Sequence, residues 1–151
     1  MAQKPEWLSE YYWLGILIII AAVALFLIIR GNPDVDFSRQ LLNGLIEGRE
    51  SIQDSIDWPS FKALDNDLGQ EYLKLVNDNE RRYFRKAFIL NFSLSFKATG
   101  GRMQSFRNWR IYGKDNANII VAANTLTNKI MFLTISKKHT GRKLLTIQYE
   151  D

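Results

Sequence analysis

His139 is the only histidine, and an imidazole is the side chain whose ordinary pKa best suits proton transfer near neutral pH. It stands between Lys138 and Thr140 in the polar stretch "KKHTGR", which reads as a hairpin loop, so an exposed turn residue is expected rather than a general base or metal ligand. Cysteine is absent, which excludes disulfides, thiolate metal sites and thiol nucleophiles. A transition-metal site would have to be built mostly from carboxylates. Yet Asp34, Asp36, Asp54, Asp57, Asp65 and Asp67 fall where helix ends and turns are expected. There is no phosphate-cradling glycine loop, no G-x-S-x-G elbow and no metalloprotease helix motif, and Gly100-Gly101 alone marks a loop. The expectation is a chain without catalytic residues, metal or cofactor, and not an enzyme.

The remaining chemistry is apolar and anion-directed. Phe84, Phe88, Phe92 and Phe96 recur every fourth residue. Each such step drifts only ~40° around a helix, so the four rings form one slowly twisting stripe. With Tyr72 they are the candidate wall of an apolar, ligand-binding cavity, and an ordinary packed core is the alternative. Charge is polarised. Residues 31 to 80 carry eleven Asp/Glu against four Lys/Arg, whereas residues 81 to 149 carry fourteen Lys/Arg and only Asp115. Within the basic half, Arg102, Arg107, Arg110, Lys137, Lys138, Arg142 and Lys143 are candidates for contact with anionic headgroups, the alternative being a solvated sheet surface. Nucleic acid is not an expected partner, because no recognised module pattern accompanies the basic and aromatic residues.

These residues need elements to hold them. Phe37, Leu41, Leu45, Ile52 and Ile56 recur at helical spacing, with Asp36 as the expected N-cap and Asp57-Trp58-Pro59 as the stop. A second helix is predicted over 67 to 76. A third follows Asn77, whose side chain caps it while Glu80 reaches back as in a capping box. After Gly100-Gly101 the period changes to two, predicting strands "FRNWRIYG", "ANIIVAAN", "KIMFLTIS" and "KLLTIQY" joined by short polar connections. The expected fold class is α+β, with about three helices packed on a four-stranded antiparallel sheet.

Upstream, residues 11 to 29 are an uncharged run that as a helix reaches ~28 Å, close to a ~30 Å hydrocarbon core. Trp7, Tyr11, Tyr12 and Trp13 stand at one end and Arg30 at the other. The context fits a cleaved signal poorly, because "MAQKPEWLSE" is not basic and "RGNPDVD" holds no A-x-A-like site. The expected organisation is a tail at 1–10, a transmembrane helix at 11–29, a linker at 30–35 and a soluble domain at 36–151.

Asp57 and Phe61, Leu68-Gly69-x-x-Tyr72, Glu80-Arg81, and Phe84-x-x-x-Phe88 with Phe96 eight residues further resemble the toluene-tolerance family of periplasmic phospholipid-shuttling proteins. The resemblance covers residues 57 to 96 mainly. Tyr72 stands where that family usually has tryptophan, and the chain stops at its last strand. The resemblance implies a cystatin-like cone, with helices over a curved sheet and an apolar cavity between them. An anchor at 11–29 departs from that family, which has a cleaved signal in its place; taken with it, the resemblance implies a membrane-anchored, non-catalytic domain on the periplasmic side of the bacterial inner membrane that binds or transfers phospholipid or another apolar ligand. Membrane lipids are then the expected partners. Tethered cones of this shape also resemble assembly factors of membrane machines, so a structural subunit of an inner-membrane complex is the alternative.

Overall fold

The computed structural model describes residues 7–29, 31–138 and 141–150, with side chains described at 13–25, 31–137 and 141–150. Two units divide the chain, Met1–Pro33 and Asp34–Asp151.

In the first unit α1 runs Trp7–Ile29, and its described side chains, from Trp13 to Leu25, are all exposed. Among the described residues no helix is long and apolar enough to cross a membrane. The expected transmembrane helix at 11–29 is corrected on that ground, and with it the expected localisation as a single-pass protein of the bacterial inner membrane with a periplasmic domain. The side chains of Trp7, Tyr11, Tyr12, residues 26–29 and Arg30 lie outside the described residues.

α2 runs Pro33–Glu47, all but its first residue in the second unit, and starts earlier than the expected Asp36 cap. Proline suits the first helical position because its missing N–H would be unpaired there anyway. Asp34 and Asp36 then fall in the first turn, where carboxylates complement the helix dipole. Leu41, Leu42, Leu45 and Ile46 are buried. The helix stops at Gly48, which takes φ 73°. Gly48 N–H donates to Leu45 O at 3.1 Å and Arg49 N–H to Gly44 O at 2.9 Å, a Schellman closure that favours glycine. Ile52 therefore belongs to a separate 3-10 segment, Glu50–Ser55, rather than to one continuous helix.

A 3-10 turn at Trp58–Ser60 leads to β1, Lys62–Ala63, and then to α3, Leu68–Leu73. The long helix α4 runs Asp78–Ala98. Asn77 Oδ1 accepts from Glu80 N–H at 2.9 Å, the expected cap, and Glu80 reaches back to accept from Val76 N–H at 2.9 Å and from the Asn77 side-chain amide rather than from Asn77 N–H, a variant of the capping box. Gly100, at φ 76°, closes the other end, with Gly101 N–H donating to Phe96 O at 3.0 Å.

The sheet is five-stranded and mixed, in the order β1-β5-β4-β3-β2, and this corrects the expected four-stranded antiparallel sheet. Strands β2 (Arg107–Lys114), β3 (Asn118–Asn124), β4 (Ile130–Lys138) and β5 (Gly141–Tyr149) form the antiparallel meander. β1 adds in parallel to β5, Lys62 opposite Thr146 and Ala63 opposite Ile147. Two residues carry no alternation, so this strand gives no period-two signal. Ile119, Val121 and Ala123 meet Ile135, Leu133 and Met131 across β3 and β4, all buried. A register shift between Thr134 and Ile135 lets Leu144 and Ile147, three apart, both point into that core. The chain is thus α+β, with α2, Trp58, Phe61 and Ile89 of α4 completing one core.

Candidate functional site

α4 is held to its neighbours by few, specific contacts. Ser93 Oγ, buried, donates to Ile46 O of α2 at 2.7 Å. Arg85 Nε donates to Gln53 Oε1 at 3.2 Å, and one of its terminal nitrogens donates to the Tyr72 hydroxyl at 3.0 Å. The phenylalanine stripe forms a ladder along the helix, with centroids 6.0 Å apart from Phe88 to Phe92 and 6.1 Å from Phe92 to Phe96. Phe106 continues it, 5.8 Å from Phe96, and Trp109 follows at 6.2 Å. At the other end Phe88 meets Phe61 edge-on at 5.2 Å and Trp58 at 5.8 Å. Trp58 Nε1 donates to Gln53 O at 2.8 Å, so this indole is fully served inside the core.

One flank of the ladder rests on the core, and the other borders a groove of about 510 Å³. Ligand pockets usually fall between ~300 and ~1,000 Å³. The lining is Phe84, Phe88, Phe92 and Phe96, the polar row Asn91, Ser95 and Thr99, and Leu64 with Leu68 from the opposite side. No charged side chain lines it among the described residues, so it suits an apolar body with a small polar group beside Asn91, Ser95 or Thr99. The expected cavity lay between helix and strands; among the described residues this groove is lined by α4, Leu64 and Leu68 and by no residue of β2 to β5, so it lies against the β1–α3 connection.

That connection is unusual. Ala63 and Asn66 exchange two backbone hydrogen bonds, each 3.0 Å, around Leu64 at φ 50° and Asp65 at φ 69°. Positive φ at both central residues makes a type I′ turn, a conformation that glycine, asparagine and aspartate adopt readily and leucine does not. The turn holds Leu64 44 % exposed at the groove wall.

Of the predicted ligand-binding residues, Phe84, Phe88, Phe92 and Phe96 come together on the groove. Tyr72 stands behind them, 5.9 Å from Phe84 and stacked on Trp58 at 6.0 Å, outside the lining. Leu64, Asn91, Ser95 and Thr99 were missed by sequence reasoning. Asn91, Ser95 and Thr99 repeat the four-residue step of the phenylalanines, offset by one position from Phe92 and Phe96, and that second row was a usable signal.

The predicted headgroup residues do not form one patch. Arg142 Nε donates to Asp34 Oδ1 at 2.6 Å, and Lys137 Nζ lies 3.8 Å from Asp34 Oδ2, so both clamp the start of α2. Lys143 donates to Asp54 O. Arg110, exposed, donates to Asn124 Oδ1 at 2.7 Å across the β2–β3 ladder. Arg107 is exposed on β2, and Arg102 borders a separate cavity beside Asn43 and Lys97. The Lys138 side chain and His139 lie outside the described residues. Among the described residues no cluster of three His, Cys, Asp or Glu could hold a metal ion.

Two carboxylates titrate abnormally. Asp67, the N-cap of α3, is held below its ordinary pKa first by the Gln70 N–H it accepts and then by Lys62. Asp115 is lowered by the N–H groups of Ala117 and Asn118 at the β2–β3 turn. Compared with family models, curated proteins and solved structures, the chain matches none of them.

Proposed function

We propose that the Asp34–Asp151 unit binds an elongated apolar ligand, a phospholipid acyl chain being the leading candidate, without catalysis. The observation that carries this is the groove of about 510 Å³, walled by four phenylalanines and bare of charged side chains. Two features support it. An exposed leucine held in a type I′ turn at the groove wall costs stability, and natural chains tend to accept such strain where function asks for it. The resemblance of residues 57 to 96 to a lipid-handling family points to the same ligand class.

The test uses the full chain. Native mass spectrometry with co-purified lipid retained should show one bound acyl-bearing molecule, and a fluorescent fatty acid should displace it. Ser95 is exposed on the groove, so Ser95→Trp fills the space from outside the core. We expect fatty-acid binding to fall at least tenfold with the melting temperature nearly unchanged. An empty wild-type chain that also fails to bind the probe would overturn the reading. A structural-subunit role has its own observation in its favour, the exposed apolar side chains on the opposite flank of α4.

A further inference from the structure

α4 carries a second apolar row that neither the core nor the groove uses. Tyr83 is 76 % exposed, Leu90 55 % and Leu94 57 %, with Ala87 between them. Glu80 and Lys97, both exposed, extend the row at its two ends. From Glu80 to Lys97 the steps alternate three, four, three, four, three, the spacing of a coiled-coil seam. At ~100° per residue, the centre of this row lies about 150° around the helix from that of the phenylalanine row.

The row is complementary to itself in one orientation. If two α4 helices meet antiparallel about a two-fold axis between Ala87 and Leu90, Ala87 faces Leu90 of the other copy and Tyr83 faces its Leu94. Glu80 then faces Lys97 at both ends. Each small residue meets a large one, and each charge meets its opposite. In the parallel alignment Glu80 would face Glu80, Lys97 would face Lys97 and the two alanines would leave a gap. Isologous pairing through one self-complementary patch is the ordinary way a chain forms a closed dimer. The Glu80 carboxylate already accepts from Val76 N–H and the Asn77 amide. A carboxylate offers about four acceptor positions, so an ammonium can still join it. Lys97 makes no ion pair among the described residues.

We propose that the α4 face of Tyr83, Ala87, Leu90 and Leu94, closed at its ends by Glu80 and Lys97, docks a second copy of this chain in antiparallel register. The groove is left open in such a pair, so the inference stands apart from the ligand reading.

The decisive experiment is a charge exchange in the full chain, followed by sedimentation equilibrium, with circular dichroism to confirm that each variant is helical. Glu80→Lys and Lys97→Glu should each weaken self-association at least tenfold, because each sets like charges at both ends of the seam. Mixed in equal amounts, the two variants should recover wild-type association, since every end layer is again a matched pair. Association through any other surface is blind to this exchange. Unchanged association in the single variants, or a mixture no better than its components, overturns the proposal. Because the chain has no cysteine, Ala87→Cys and Leu90→Cys can be introduced cleanly. Mild oxidation of their mixture should give the mixed disulfide dimer. Homodimers of each variant would instead indicate the parallel arrangement and refute the register.

Discussion

Ile89 and Phe92 lie three residues apart on α4, yet Ile89 is 1 % exposed whereas Phe92 is only partly buried. Ile89 joins Phe61, Leu133 and Ile147 in a core closed on every side. Phe92 stacks on that core with one flank and borders empty space with the other. The helix therefore divides its apolar side chains between two tasks, and full burial separates the residues that hold the fold from those that can hold a ligand. Phe61→Ala is expected to cost about 3 to 5 kcal/mol, enough to unfold much of a marginally stable domain. Phe92→Ala should cost roughly half of that, about 2 kcal/mol, since only part of the ring leaves water on folding. Its larger effect should be on ligand retention. Chemical denaturation with fatty-acid titration of both variants measures the contrast, and equal destabilisation without any binding change would erase it.

The stripe itself was legible because a four-residue step fixes which side chains share a helix face before anything is known about their neighbours. The same holds for the Asn77–Glu80 cap and the meander, whose strands lie within a residue or two of the alternating segments. What was not legible depends on contacts between distant positions. β1 is two residues long and exists only because residues 56 to 64 run along β5, with Asp57 N–H donating to Leu144 O at 3.0 Å and Leu64 N–H to Ile147 O at 2.9 Å. The stop at Gly48 overrides the continued helical spacing of Ile52 and Ile56, because a left-handed glycine ends a helix whatever its apolar period. The sequence reading looked for a cavity between the stripe and the strands, whereas the groove on the stripe is completed by Leu64 and Leu68. Periodicity shows that four rings share a face, but not that Trp58 and Phe61, buried in the core, meet Phe88 edge-on. The basic set hid its partners for a related reason. Composition counts Arg142, Lys137 and Lys143 as surface charge, and folding leaves them at the surface while setting them against Asp34 and the Asp54 carbonyl.

A substitution at Leu64 sharpens the division between fold and site, because there the two should move in opposite directions. Asparagine adopts positive φ far more readily than leucine, so Leu64→Asn should relieve the turn and raise stability by about 0.5 to 1 kcal/mol. The same change removes an apolar wall of the groove, and binding of an acyl probe should weaken several-fold. A melting temperature that rises while affinity falls is the expected pair of results. A drop in both would mean that Leu64 serves the core after all.

The smallest effect expected is that of acid on the groove edge. Asp67 caps α3, accepting from Gln70 N–H at 3.1 Å and pairing with Lys62 at 3.2 Å, and its neighbour Leu68 lines the groove. Its pKa in the folded chain is lowered from the ordinary 3.8, so the unfolded chain holds the proton more tightly. The stabilisation it gives is therefore complete well above pH 3.8 and is lost as the pH falls through the lower folded value. Asp115 follows the same sign at the β2–β3 turn, where its acceptance from Ala117 and Asn118 N–H bears on no groove residue. Lowering the pH from 5 towards 3 should thus loosen α3 and reduce probe binding before the sheet melts. In Asp67→Ala, which removes the oxygen that accepts from Gln70 N–H, that early loss should already be present at pH 5 and change little on acidification, while Asp115→Ala should leave the pH profile of binding as it is in the wild type. Probe fluorescence and far-ultraviolet circular dichroism, followed through the same titration, separate the two carboxylates. A binding curve that tracks sheet unfolding in every variant would show that the groove edge has no stability of its own to lose.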